Sequence, residues 1–214
     1  MGALAAAFSK NGKNVVPKVV RMLAELQHRG KDMHGIATTD FLEITRSVRE
    51  LRSLSVESSA AIGHNLSRIL SKDAPQPIQD RGVKLVFEGR FFPPTAGNEV
   101  QEIMKHNGGN IEEKARNIIK GMDGSYAFVF LSNRRIMLGR DSVGLMPLYY
   151  GEDGETYAFA SERKALRALG MQNVKSFPPG NLAIIDDARM IFQPVRTIIK
   201  PCMKPVSMEN AAER

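Results

Sequence analysis

The stretch that most constrains this chain runs from Gly121 to Gly170, GMDGSYAFVFLSNRRIMLGRDSVGLMPLYYGEDGETYAFASERKALRALG. Tyr126 to Leu131 is a nearly unbroken apolar run, and Arg135 to Leu138 resumes it after the turn residues Ser132-Asn133. Leu148 to Tyr150 and Tyr157 to Ala160 form a second pair around Glu152-Asp153-Gly154, where an Asp-Gly step supplies the turn. Ser161 then reads as the cap of a helix over Glu162 to Leu169, with Gly170 as its stop signal. The stretch is therefore paired strands delivered into a helix.

Two blocks inside it go beyond secondary structure: Gly139-Arg140-Asp141-Ser142-Val143-Gly144-Leu145-Met146-Pro147-Leu148-Tyr149-Tyr150 and, eight residues on, Phe159-Ala160-Ser161-Glu162-Arg163-Lys164-Ala165-Leu166. They resemble the class II glutamine amidotransferase domain of asparagine synthetases and amidophosphoribosyltransferases, which reads RD-x-x-G-x-x-PLYY and then ASE-x-KAL. The resemblance implies an α+β fold, the four-layer αββα sandwich of the N-terminal-nucleophile hydrolases, and the order of strands and helices is compatible with it. Arg140 and Asp141 themselves read as architecture. Charges at a strand end pair with each other or their neighbours, Gly144 suits a positive φ, and Pro147 fixes the entry to the next strand.

Length and composition narrow the partners. With 214 residues, 43% hydrophobic and 25% charged, the chain is one large domain or a domain with an appendage. No segment is long and apolar enough to span a bilayer, and MGALAAAF lacks the basic flank of a secretory signal, so no membrane partner and a cytoplasmic location are expected. The single cysteine, Cys202, excludes an internal disulfide framework and suits a reducing compartment; in a proline-flanked tail with no nearby histidine it does not read as a nucleophile. The net charge of +7 is scattered, aromatics are 7% and tryptophan is absent, so nucleic acid is not the expected partner. No metal-ligating or cofactor motif stands out, and neither a metal nor a cofactor is expected.

Taken in order, Gly2 to Phe8 reads as a buried strand ending at Asn11-Gly12, and Val15 to Gln27 as an amphipathic helix with Pro17 near its start. His28-Arg29-Gly30 matches the family's HRG; by itself His28 reads as a capping or packing residue. Arg46 to Arg52 reads as a solvated excursion. Val83 to Phe92 reads as a strand, Glu99 to His106 and Ile111 to Lys120 as helices, and residues from Leu182 to Val195 as a last hairpin turning at Asp186-Asp187. Thr197 to Arg214 reads as a tail with a helix start capped by Ser207. The expected organisation is a glutamine amidotransferase type 2-like domain over residues 1–195, then a tail or linker start over 196–214.

The chemistry implied by the resemblance is altered at four positions. Where the family begins Met-Cys-Gly-Ile and uses the cysteine as nucleophile, this chain has Gly2, Ala3 and Leu4. In Ser58 to Ile69, aligned on Gly63-His64, the arginine that grips the α-carboxylate of glutamine is replaced by Leu66, while Arg68 lies two residues on and at strand period shares its face. The Asn-Gly oxyanion pair is Glu88-Gly89, an acceptor where a donor is needed, followed by Arg90 in place of a glutamate. Gly97-Asn98-Glu99-Val100 resembles (S)D-x-E-V, with Asn98 for the aspartate that binds the amino group. The reading is a catalytically inactive domain, a scaffold or regulatory subunit for a synthase or transferase subunit or a missing C-terminal domain, with a homodimer as a further arrangement. Two alternatives stand beside it. One is an active amidotransferase supplying ammonia to a synthetase-like or phosphoribosyl transferase-like partner. The other is a small-molecule sensor whose altered pocket holds Arg68, Glu88, Gly89, Arg90 and Asn98.

Overall fold

The structure is a computed structural model that describes residues 2–105, 110–186 and 189–198. Its first third holds strand β1 (Ala3–Ser9), helix α1 (Val16–Glu25) with a 3-10 turn over Gln27–Arg29, strands β2 (Met33–Thr38) and β3 (Leu42–Thr45), helix α2 (Val48–Arg52) and strand β4 (Ala60–Leu66). Strands β5 (Ile78–Asp80) and β6 (Val83–Phe92) lead to helices α3 (Glu99–Lys105) and α4 (Ile111–Gly121). Strands β7 (Asp123–Ser132), β8 (Arg135–Arg140), β9 (Tyr149–Glu152) and β10 (Thr156–Ala160) follow, then helix α5 (Arg163–Ala168), strands β11 (Lys175–Ser176) and β12 (Asn181–Asp186), and finally β13 (Arg189–Pro194).

The strands form two antiparallel sheets, ordered β11-β9-β10-β1-β4-β2-β3 and β13-β12-β8-β7-β6-β5. Their side chains alternate between faces, which generates the layers. From β1, Ala3, Ala5 and Ala7 pack outward under α1, α2 and α5, whereas Leu4, Ala6 and Phe8 point into the space between the sheets. From β6 and β7, Val86, Ala127 and Val129 meet them there, and Leu85, Phe87, Phe128 and Phe130 pack outward under α3 and α4. This is the expected αββα sandwich. Each fully buried Phe or Leu contributes about 1.5–3 kcal/mol, so the three apolar layers dominate the stability.

Several local expectations are corrected. Arg46 to Arg52 is not merely solvated: Ser47 accepts from the Arg49 N–H and starts α2, which buries Val48 and Leu51 at a spacing of three. The β7–β8 turn lies one residue later than expected, on Asn133 and Arg134, which both have positive φ between the paired Ser132 and Arg135. Ser161 does not cap α5; its hydroxyl accepts the Leu4 N–H at 2.9 Å and Glu162 takes the cap position. Helix α3 ends at Lys105 within the described residues, and the turn at Asp187, Cys202, Ser207 and the tail from residue 199 lie outside them.

Arg140 and Asp141 do the architectural work assigned to them. Asp141, fully buried, accepts from the backbone N–H groups of Gly144, Leu145 and Met146 at 2.6–2.9 Å and of Val143 and Tyr126 at 3.2 and 3.3 Å. The Arg140 guanidinium donates to the carbonyls of Met146, Phe177 and Gly144. The loop between β8 and β9 is thus wrapped around one carboxylate and one guanidinium. Because each buried amide left unpaired costs about 1–3 kcal/mol, Asp141→Ala should lower stability by roughly 3 kcal/mol or more. Asp141→Asn should fall between it and the wild type, read from urea unfolding midpoints.

Candidate functional site

Position 2 lies where the two sheets meet, and its surroundings are fixed by residues from four distant segments. The Gly2 N–H donates to Glu88 Oε1 at 2.6 Å, from β6 of the second sheet. Its carbonyl accepts from Arg29 Nε at 2.9 Å, and Arg29 also reaches Glu162 at 3.3 Å. Glu162 is in turn 2.8 Å from His28 Nε2. The HRG and ASE blocks therefore hold the start of β1. His28 itself is half exposed and away from the cavity, in line with a packing role. The Glu162 carboxyl is held below its usual range, because His28 and Arg29 outweigh the opposing effect of burial.

There is no room for a side chain at position 2. A Cβ placed on Gly2 would lie 2.2 Å from the Asn65 carbonyl oxygen, 2.7 Å from Glu88 Oε2 and 3.1 Å from His64 Nε2. The first of these is backbone of the neighbouring strand and cannot rotate away. Glu88 and His64, both buried, are themselves joined at 3.1 Å between Oε2 and Nε2. The space that a side chain at position 2 would need is occupied by a carboxylate, an imidazole and a carbonyl.

Beside this cluster is a cavity of about 360 Å³, with Gly2, His64, Leu66, Glu88, Arg90 and Glu99 on its wall. Of the residues expected to share a pocket, Glu88, Gly89, Arg90 and Asn98 do. Arg68 does not, which corrects that expectation. Strand β4 ends at Leu66, so strand alternation no longer applies two residues on, and the Arg68 N–H donates to Asp32 Oδ2 with the side chain exposed. Gly89 has φ of 131°, and a Cβ there would lie 2.0 Å from the Ser125 carbonyl, so the close pairing of β6 with β7 requires glycine.

Asn98 is engaged structurally: its Oδ1 accepts the Val100 N–H at 3.0 Å at the start of α3, and its amide donates to the Lys72 carbonyl at 2.7 Å. Counted back from the shared Glu99-Val100, the aspartate of the motif falls on Gly97 rather than on Asn98. Arg90 is committed to Asp73 at 2.6 Å and to the Gly89 carbonyl at 2.9 Å, with Glu99 at 3.9 Å. Sequence reading gave no role to His64, Asp73 or Glu99. His64 was visible only as an alignment anchor, and Asp73 sits in a loop without any motif. No group of three or more His, Cys, Asp or Glu able to hold a metal occurs among the described residues.

Comparison with known proteins agrees with this geometry. A family model described as a glutamine amidotransferase domain matches residues 95–168. A candidate glutamine-hydrolyzing asparagine synthetase of Methanocaldococcus jannaschii is 28% identical over 91% of this chain, and the amidophosphoribosyltransferase of Bacillus subtilis is 26% identical over 78% of it. The chain spans only 41% and 43% of those relatives. The solved glutamine phosphoribosylpyrophosphate amidotransferase of B. subtilis, complexed with ADP and GMP, superposes with a TM-score of 0.77 over 92% of this chain and 50% of its own, at 21% identity. The chain is thus similar to the glutamine amidotransferase domains of asparagine synthetase and amidophosphoribosyltransferase, and it shares the fold of the solved amidotransferase.

Asp73 gives the site a pH signature. Burial pushes its carboxyl up, but the N–H groups of Leu70 and Ile69, at 2.9 Å each, together with Arg90 outweigh it and hold it below the usual carboxylate range. With the folded-state pKa below the unfolded one, this stabilisation is complete above the ordinary carboxylate range and is lost as pH falls through the depressed value. Urea midpoints followed from neutral to strongly acid pH should show that loss. In Arg90→Ala the loss should be smaller and should be complete at a higher pH, because the folded-state pKa moves up toward the unfolded one.

Proposed function

We propose that this chain is a non-hydrolysing glutamine amidotransferase-like domain that serves as a scaffold or regulatory unit for a synthase- or transferase-type partner in the cytoplasm. The observation that carries the reading is the filled space at Gly2, where the Asn65 carbonyl would lie 2.2 Å from any Cβ. A thiol or hydroxyl introduced by one substitution has no place to stand. The oxyanion position supports the same reading: Glu88 spends both carboxylate oxygens on Gly2 and His64, and as an acceptor it opposes a developing negative charge. Leu66 and Arg68 leave no guanidinium where the family anchors the α-carboxylate of glutamine.

The partner half rests on length. The relatives are more than twice as long as this chain, and the parts of them that it does not match are where a synthase or transferase activity would reside. We take residues 1–195 as the folded unit and 196–214 as the segment leading towards that partner, either a separate chain or a further domain.

The test is glutamate release from glutamine by the purified chain and by Gly2→Cys. No release above background is expected from either, and Gly2→Cys should be less stable by about 1–3 kcal/mol from overpacking. Hydrolysis by the unaltered chain would establish the active-amidotransferase reading instead. Melting with millimolar glutamine should leave Tm unchanged, whereas a ligand at 100 times its Kd adds about 2.7 kcal/mol and raises Tm by several degrees.

A further inference from the structure

A second cavity, of about 500 Å³, lies between helices α3 and α4 and the end of β6, with Phe91, Ala96, Ile103, Asn117, Ile118 and Met122 on its wall. That volume is in the range of about 300–1,000 Å³ at which pockets take up ligand-sized groups of atoms, and most of these residues are apolar. The last described residues lead to one end of it. Val195 packs on the same apolar cluster as Phe91, Ile103 and Ile118. Arg196 Nη1 donates to the Met122 carbonyl at 3.4 Å and stands 2.8 Å from Asp123 Oδ1, which fixes the chain beside the end of α4. Met122 is itself on the cavity wall, and Ile198, two residues after Arg196, is 53% exposed. The chain therefore leaves the described fold next to an apolar groove.

The sequence that follows is Ile199-Lys200-Pro201-Cys202-Met203-Lys204-Pro205-Val206. In extended backbone alternate residues share a face, which puts Ile199, Pro201, Met203 and Pro205 on one side and Lys200, Cys202 and Lys204 on the other. Pro201 and Pro205 have no N–H to give to a sheet ladder, so the segment is suited to bury its apolar side by packing rather than by adding a strand. Length fits as well. From Met122 back to Lys114, which also lines the groove, is eight residues of α4 and its cap, about 12 Å at helical rise. Four extended residues cover about 13–14 Å, so Ile199 to Met203 is enough to run its length. We propose that the segment from Ile199 to Val206 docks in the groove between α3 and α4, with Ile199, Met203 and the two prolines against Phe91, Ile103 and Ile118 and the two lysines turned to solvent. The groove then sets where anything beyond Val206 leaves the domain, whether or not the chain hydrolyses glutamine.

Cys202, the single cysteine of the chain, faces outward in this arrangement and reports where the segment lies. In the full chain a second cysteine is introduced as Ala96→Cys or Asn117→Cys, exposed positions lining the groove from two different segments. The control is Lys120→Cys, exposed on α4 and closer in sequence to Met122, at a residue that does not line the groove. Disulfide formation within one chain is measured at equilibrium in glutathione buffer by mass spectrometry, because the bond forms only where Cα atoms come about 4.4–6.8 Å apart. One or both groove cysteines should pair with Cys202 at an effective concentration about tenfold or more above that of Lys120→Cys, whereas a merely tethered segment reaches Lys120→Cys equally well. Ile199→Asp with Met203→Asp should remove the preference, and Lys200→Ala should leave it. Equal or better pairing with Lys120→Cys, a preference that survives the two aspartates, or disulfides between two chains, which would make a second copy the occupant, would each overturn the proposal.

Discussion

The structure depends on how the first residues of β1 are held from both sheets at once. The Gly2 N–H is fixed by Glu88 of the second sheet, and its carbonyl by Arg29 of the helical layer. Two residues on, the Leu4 N–H donates to the Ser161 hydroxyl, and the Leu4 carbonyl accepts the Ser161 N–H at 3.1 Å. These groups are buried, and each bond satisfies a polar group that would otherwise be left unpaired. The HRG and ASE blocks hold the start of the strand in place, a task independent of any reaction at its end. An intact framework around an altered centre is therefore physically coherent.

The second anchoring point, the Arg140-Asp141 pair, works by a different logic. One carboxylate gathers successive N–H groups and one guanidinium gathers carbonyls, so an irregular loop with no ladder of its own has its backbone satisfied. Burial lowers the Arg140 pKa against the opposing effect of Asp141 and Tyr149, and the guanidinium, with an ordinary pKa far above neutral, donates in its charged form. Met146, at the end of this loop, lies on the cavity wall, which links the loop to the site.

Much of this was legible in the chain. The apolar runs of β6, β7 and β8 announce themselves, and the expected bounds of β6 match the structure because Gly82 and Pro93 flank its ends. Helix α2 was hidden because Arg49, Glu50 and Arg52 surround the two residues it buries. Strands β5 and β11, of three and two residues, are too short to show alternation and exist only through pairing with β6 and β9. In the site, a glycine at position 2 was legible in the sequence, but the close packing around it was not. That packing comes from Asn65, His64 and Glu88, whose approach is set by sheet register and by the contact between sheets. Arg68 was misplaced for a similar reason, since the end of β4 is decided by a tertiary bond to Asp32.

The register of β1 also sets a timetable for synthesis. This alanine-rich strand lies at the centre of its sheet, with β4 on one side and β10 on the other, and Ala5 sits opposite both Gly63 and Ala160. Its first partner leaves the ribosome early, but the second lies some 155 residues behind it. At about 5–20 residues per second, the open edge of β1 waits roughly ten to thirty seconds before β10 is available to close it. The strand made first is among the last to be sealed, and during that interval the nascent chain offers an apolar edge to any chaperone or neighbouring chain within reach.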